Sequence, residues 1–253
     1  MRQACLLGRS ATAAVVVASL GLAPRAVAQE ARGVNPADNL TKVELLPKLT
    51  VIDDGGGIST TTLTLKYDRA IRGVYGFNVE LPLVRFEAPV DSTNGIGDLN
   101  LRARAQKSIG SFVVIGGLEA VVPIATDPTL GSGKLQINPV AAGVYAFSRS
   151  VFAAAAAKHF FSVAGDDDRA DVKQGQYRLL LAYSSPRGWW ALLDPQIWVD
   201  FEVDRRSELA LELEAGKMIG PKVGAWVRAG GHVGGSWPRQ DWTVSGGIRF
   251  ISL

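Results

Sequence analysis

The chain has 253 residues, of which 47% are hydrophobic and 20% charged, with 27 basic and 24 acidic side chains, two histidines and a single cysteine. One cysteine excludes an intrachain disulfide framework and any cysteine-clustered metal site. After Ala28 no run of about eighteen apolar residues occurs, so a membrane-spanning helix is excluded as well.

The first segment reads as an address rather than as structure. Arg2 and Arg9 give a basic start, Ala11 to Leu22 a short apolar run, and Ala26-Val27-Ala28 a small-x-small cleavage pattern. These are the parts of a secretory signal peptide over residues 1–28, with the exported chain starting at Gln29. Arg2, Arg9, Arg25 and Cys5 leave with it and no acid does, so the remainder carries 24 basic and 24 acidic groups. A formally neutral chain without thiols suits an oxidising compartment and gives no reason to expect nucleic acid as a partner. Residues 29–40 are expected to be an irregular periplasmic tail.

From there, period-two alternation runs through the chain. It predicts twelve strands, over 42–51, 59–68, 74–85, 97–107, 112–123, 135–147, 151–162, 174–184, 190–202, 208–217, 222–231 and 241–250. Leu99-Asn100-Leu101-Arg102-Ala103-Arg104-Ala105-Gln106 is the clearest: a strand sorts its aliphatic and charged groups onto opposite faces, whereas a helix would mix them. Leu209-Ala210-Leu211-Glu212-Leu213-Glu214 does the same with acids. Ala153 to Ala157 could also pass for a short helix, and Pro195 implies a bulge or kink in the ninth strand.

The connectors alternate in length. Longer links span Ile52–Ile58, Phe86–Ile96, Ile124–Lys134, Val163–Lys173, Val203–Ser207 and His232–Gln240. Shorter turns span Arg69–Gly73, Ser108–Ser111, Ser148–Ser150, Ser185–Trp189 and Met218–Pro221. Long loops outside, short turns inside and an even strand count describe an all-β, antiparallel transmembrane β-barrel over 41–253, with both termini in the periplasm.

Aromatic residues fall near the predicted strand ends. The short-turn side carries Tyr67, Tyr75, Phe77, Phe112, Tyr145, Phe147, Tyr183, Trp189, Trp190 and Phe250; the long-loop side carries Phe86, Phe160, Phe161, Tyr177, Phe201, Trp237 and Trp242. Amphipathic rings favour the bilayer interface, so these read as two girdles around an aliphatic band, with outer-membrane lipid as the partner. Alternation alone fits a soluble barrel with aliphatics inside equally well. With lipid outside, the opposite face collects Glu44, Lys48, Lys66, Glu80, Arg102, Arg104, Glu119, Lys158, Arg178, Asp200, Glu202, Glu212, Glu214, Lys222, Arg228 and Arg249. Each of these charges on the lipid side would cost on the order of 2–4 kcal/mol near the midplane, so they are expected to line the lumen. Arg102 and Arg104 are expected to pair with Glu80 and Glu119 across sequential strands.

Little catalytic chemistry is legible. His159 and Ser162 could be imagined as a hydrolase pair, but they fall on opposite parities of one strand. Asp166-Asp167-Asp168 lacks the ligand spacing of a calcium loop. Gly131-Ser132-Gly133-Lys134 lacks the phosphate-loop spacing and reads as a turn. No catalytic residue, metal or cofactor is expected.

The central stretch Asn94-Gly95-Ile96-Gly97-Asp98-Leu99-Asn100-Leu101-Arg102, followed by Val121-Val122-Pro123-Ile124-Ala125-Thr126-Asp127, Gly131-Ser132-Gly133 and Asn138-Pro139, resembles the outer-membrane barrels named for the MetA pathway of phenol degradation. The resemblance implies a transporter-like barrel that admits small apolar or aromatic compounds. The final strand, with Trp242, Val244, Ile248 and Phe250, resembles the aromatic-ended strand that the barrel assembly machinery reads. The expectation is therefore a porin-like channel of the bacterial outer membrane, passing a small-molecule solute passively through a charged lumen. A closed structural or surface-binding barrel is the alternative.

Overall fold

The computed structural model describes residues 33–53 and 55–252. The expected signal peptide and the start of the expected tail lie outside them. The described residues form thirteen strands and no helix. They are β1 (Thr41–Asp53), β2 (Ile58–Ile71), β3 (Tyr75–Ala88), β4 (Asp91–Ile96), β5 (Leu99–Ile109), β6 (Phe112–Val122), β7 (Lys134–Ala146), β8 (Val151–Gly165), β9 (Lys173–Ser184), β10 (Trp189–Asp200), β11 (Ser207–Met218), β12 (Val223–Gly235) and β13 (Trp242–Ser252). All pairings are antiparallel; they join sequence neighbours except that β3 also pairs β5, and β13 closes on β1 from Thr41↔Ser252 to Val51↔Trp242. The wall is thus an up-and-down barrel, the arrangement that pairs strand backbones without leaving open edges in lipid.

Thirteen strands make twelve crossings, because β4 and β5 are two pieces of one. β3 pairs Leu83 with Ile96 and Glu80 with Asn100, a register that slips by one residue at Gly97-Asp98. The slip is a bulge, and it reverses which parity faces inward. Gly97 fits because an added Cβ would lie 2.9 Å from Val84 Cγ2 and 3.0 Å from Pro82 Cγ. Asp98 turns its carboxylate to the loop after β6: Oδ2 accepts the Ser132 N–H at 2.7 Å and the Ser132 hydroxyl at 2.8 Å. Thr126 donates its N–H to Ile96 O, which pins that loop along β4. The glycine-aspartate strand start thus has a structural meaning: it folds residues 123–133 down onto the bulge.

Several sequence expectations need correction. The link Phe86–Ile96 is not a long loop, since pairing runs on to Ala88↔Asp91 and leaves only Pro89 and Val90 as a turn. The alternating pattern there is broken by small and polar residues, and backbone pairing prevailed. Pro195 causes no bulge, because β10 holds one register with β9 on both sides of it, Leu193↔Leu181 and Gln196↔Arg178. Ala153 to Ala157 is strand within β8.

Strand parity sets the two faces. Leu45, Leu63, Leu65, Leu83, Leu118, Leu179, Leu181, Leu211, Leu213, Val227 and Val244 are exposed, whereas Glu44, Glu119, Asn138, Asp194, Glu208, Glu212 and Glu214 are buried. A water-soluble domain has the opposite polarity.

Candidate functional site

The inward face divides into three levels along the barrel axis. The middle level is a belt of charge. On one wall, Glu119 of β6 is 1% exposed and is held by Arg102 of β5 and Lys158 of β8, with Asn138 of β7 donating at 3.3 Å. The register explains the meeting: Arg102↔Glu119 and Glu119↔Asn138 are direct cross-strand partners, and alternate residues share the inner face. Toward β1, Lys66 contacts Glu80 at 3.2 Å, Lys42 contacts Glu44 at 2.9 Å, and Arg249 donates to Glu44.

On the facing wall, Asp194 of β10 is fully buried between Arg178 of β9 and Arg228 of β12. Arg228 also reaches Glu212 at 3.0 Å and Glu214 at 2.6 Å on β11. Glu214 in turn accepts the Trp190 indole N–H at 2.7 Å. Gln176 and Gln196 extend this network at 2.8 Å. Both clusters combine burial with charge-assisted hydrogen bonds, the condition under which buried ions persist.

The expected lumen residues Lys66, Glu80, Arg102, Glu119, Arg178, Glu212, Glu214, Arg228 and Arg249 therefore sit in the two clusters. Arg104 also points inward, but not to an acid: its guanidinium donates to Pro36 O at 2.8 Å and Asn39 Oδ1 at 3.3 Å. Glu80 pairs with Lys66 instead. Glu202 and Lys222 are exposed outside the strands, beyond the barrel rims.

The second level lies near the short turns. There the inner face becomes apolar, with Ile115, Val144, Phe152, Ala154, Leu180, Ala182 and Leu192 forming one cluster and Trp190, Met218 and Ile251 another. Residues 33–40, part of the expected irregular tail, pack into this collar. Val34 and Ala37 meet the first cluster, and Val34 and Leu40 the second. Asn39 donates to Tyr75 O at 2.7 Å and Gln106 donates to Ala37 O at 2.9 Å on the β3–β5 wall, while Val34 packs against Trp190, Met218 and Ile251 of β10, β11 and β13, so the segment crosses the mouth. A cavity of about 240 Å³ remains between it and the β2, β3 and β5 wall, lined by Lys42, Lys66, Asp68, Asn78, Arg102 and Arg104. The sequence signal was there in Val34, Ala37 and Leu40, but a short segment without periodicity gives no hint of where it docks.

The third level, toward the loops, is a column of rings and cations. Lys158 Nζ lies 4.5 Å from the Phe160 ring, and Phe160 stacks on Trp198 at 5.4 Å. The Arg239 guanidinium lies over the Trp198 ring at 3.7 Å. Periodicity could not reveal Arg239, which enters the lumen from the loop between β12 and β13. Phe86 and Phe160 face inward by parity and are not outer-girdle residues.

On the outer face, Tyr67, Tyr145, Tyr183, Trp189 and Phe250 are exposed near the turns and Trp242 near the loops. Trp190 is a correction: it is 2% exposed and faces inward. Consecutive strand residues point to opposite sides, so Trp189 and Trp190 could not both belong to an outer girdle. Gly216 provides the flat floor that the Trp190 ring covers. His159 lies on the outer face, 3.3 Å from the Tyr177 hydroxyl and stacked with Phe161 and Phe201. Ser162 bonds Asp171 at 3.1 Å instead, so no hydrolase pair forms. Among the described residues no three His, Cys, Asp or Glu side chains converge as metal ligands.

No family model and no curated protein matches the sequence. Solved structures share the fold. The COG4313 outer membrane channel from Pseudomonas putida F1 aligns with 13% identity and a TM-score of 0.71, covering 87% of this chain and 100% of that one. The KdgM porin gives 11% identity and 0.59 over 84% and 99%. The NanC porin gives 9% identity and 0.59 over 84% and 100%. The chain thus has the closed twelve-crossing architecture of outer-membrane channels.

Proposed function

We propose that this protein is a passive channel of the bacterial outer membrane, exported by cleavage after residue 28, that admits small molecules along its charged lumen. The observation that supports this most is the reversal of polarity: ionised groups converge on the axis while leucines cover the outside, the distribution expected of a barrel with lipid outside and water within. The aromatic residues on the outer face then mark the two bilayer interfaces. The short turns and the collar lie on the periplasmic side, and the last strand is read by the assembly machinery. The resemblance to the MetA-pathway barrels points to apolar or aromatic solutes.

In this reading residues 33–40 are a movable stopper. Asn78 Oδ1, Gln106 Oε1 and Trp226 Nε1, all around its seat, are buried without hydrogen-bond partners. Such groups are costly, which favours a segment that can leave. The same seating supports a second reading, a permanently closed barrel with a structural role. Solute flux into liposomes separates the two. Reconstituted protein should admit phenol-sized solutes, and removing residues 33–39 while keeping the export signal should raise the flux several-fold. If neither form passes solute, the channel reading fails and the closed barrel stands.

A further inference from the structure

The cavity against residues 33–40 mixes unfilled donors with unfilled acceptors. One inward row of side chains runs across four strands, because Lys42 pairs with Asp68, Asp68 with Asn78 and Asn78 with Arg102. In the next inward row toward the turns, Gly76 stands between Ala70 and Arg104. The missing side chain leaves the hollow: a Cβ on Gly76 would already meet Arg104 Nε at 2.8 Å and Asn39 Oδ1 at 2.9 Å. The segment closes over it, and about 240 Å³ stays open, the liquid share of about eight water molecules.

Asn78 is 4% exposed; its Nδ2 donates to Asp68 Oδ1 at 3.1 Å, but its Oδ1 accepts nothing. Asp68 Oδ2 accepts no hydrogen bond either, although the Lys42 ammonium stands 3.7 Å away. Arg104 donates to Pro36 O and Asn39 Oδ1, and among the described residues it has no carboxylate within 4.0 Å. A guanidinium carries five donors, so others remain. A cation entering the cavity would meet Asp68, but Lys42, Arg102 and Arg104 line the same space and repel it. An anion would suit Arg104 and set a negative charge against both unfilled oxygens. An apolar molecule would leave all of these groups unfilled. A hydroxyl both donates and accepts, so neighbouring hydroxyls answer the oxygens and the guanidinium together.

We propose that the cavity binds a small neutral polyhydroxy compound, up to the size of a hexose, between residues 33–39 and the β2, β3 and β5 wall. The occupant touches segment and wall at once, so it holds the segment in its seat. The site rests on the seated position of residues 33–40 in the channel reading, and it does not require the occupant to permeate.

Saturation-transfer NMR on the full-length protein, in a detergent without a sugar headgroup, tests this with glucose as the probe. Glucose should take up saturation several-fold more than gluconate or glucosamine, which keep its skeleton and add a charge of either sign. Asn78→Leu and Arg104→Met should each weaken glucose binding about tenfold. Heat-dependent gel migration checks that each barrel has folded, and Arg104→Met leaves the row from Lys42 to Arg102 intact if Asn78→Leu does not fold. Glucose should also slow hydrogen exchange at the amides of Asp38 and Leu40, which bond within the segment. Removing residues 33–39 should abolish binding. Equal signals from the three sugars, binding unchanged by both substitutions, or binding that survives the removal overturns the site. Solute flux without any glucose signal overturns the site and leaves the channel standing. Glucose binding without flux supports the site and overturns the channel reading.

Discussion

The belt and the collar are only a few residues apart along the same strands, yet they hold the barrel in opposite ways. In the belt, β6, β8, β10 and β12 present Glu119, Lys158, Asp194 and Arg228; Lys158 is tied to Glu119, and each of the other three to two or more partners on other strands. In the collar the same strands bring Ile115, Phe152, Leu192 and Trp226 to two apolar clusters, against which Val34, Ala37 and Leu40 also pack. Removing one member of an ionic cluster strands the others without counter-charge, whereas removing an apolar contact loses only its own area. The belt is therefore a brittle fixture, and the collar a seat from which a segment can lift.

The sharpest way to break this contrast is Glu119→Leu. It leaves Arg102 and Lys158 facing each other without their shared acid, and should destabilise the barrel by about 3 kcal/mol, toward the lower end for a buried pair because Arg102 is 31% exposed to the lumen. Denaturant unfolding in detergent micelles measures this. A cost below about 1 kcal/mol would mean that lumen water screens the belt and that its charges are not structural.

Trp190→Phe probes the boundary between the two levels. An aromatic ring is kept, smaller by the fused pyrrole, and the Glu214 carboxylate loses its indole donor while retaining Arg228. The expected cost is about 1–2 kcal/mol in the same assay. A near-neutral result would place Trp190 with the collar rather than with the belt.

Val34→Asp should separate stability from conductance. The side chain touches both apolar clusters but belongs to no strand, so the barrel should lose about 1 kcal/mol or less. The flux of small solutes should nevertheless rise several-fold as the segment leaves its seat. An unchanged flux together with a loss of several kcal/mol would make residues 33–40 part of the barrel core.

How much of this was legible in the sequence follows from the same physics. Strand periodicity carries a face for every residue, so the inward positions of Arg102, Glu119 and Glu212 could be read directly. Partners depend on register, which is set by turns and bulges. Arg102 was matched to Glu119 because their strands are consecutive, but Arg104 found the backbone of Pro36, a partner no alternation pattern encodes. The slip at Gly97-Asp98 was invisible because a bulge reads as one more residue of strand or loop. Arg239 and residues 33–40 were missed for a related reason: both reach the lumen from segments without periodicity, where nothing local records the direction in which the chain turns.

The smallest effect is expected outside both levels, where the loops meet. Lys134, at the start of β7, contacts Asp171 at 3.0 Å, and Asp171 also accepts from Ser162 at 3.1 Å. The Lys134 ammonium, and then the Ser162 hydroxyl, hold the Asp171 carboxyl below its usual range. A depressed carboxyl contributes stability above its unfolded pKa, about 3.9, and loses that contribution as the pH falls through its folded value. The clasp should therefore be fully made at neutral pH and weaken only below about pH 4. Because Asp171 is largely exposed, this should not move the global unfolding midpoint. It should appear locally, in the amide of Val172, which donates to Ser162 Oγ at 3.0 Å. Hydrogen exchange of that amide, corrected for intrinsic rates, should lose protection between pH 5 and pH 3 in the wild type. In Asp171→Asn the protection should be lower and flat with pH. A shift of the whole barrel's midpoint in that variant would show instead that the loop clasp shares the brittleness of the belt, and the division between rigid middle and adjustable ends would have to be redrawn.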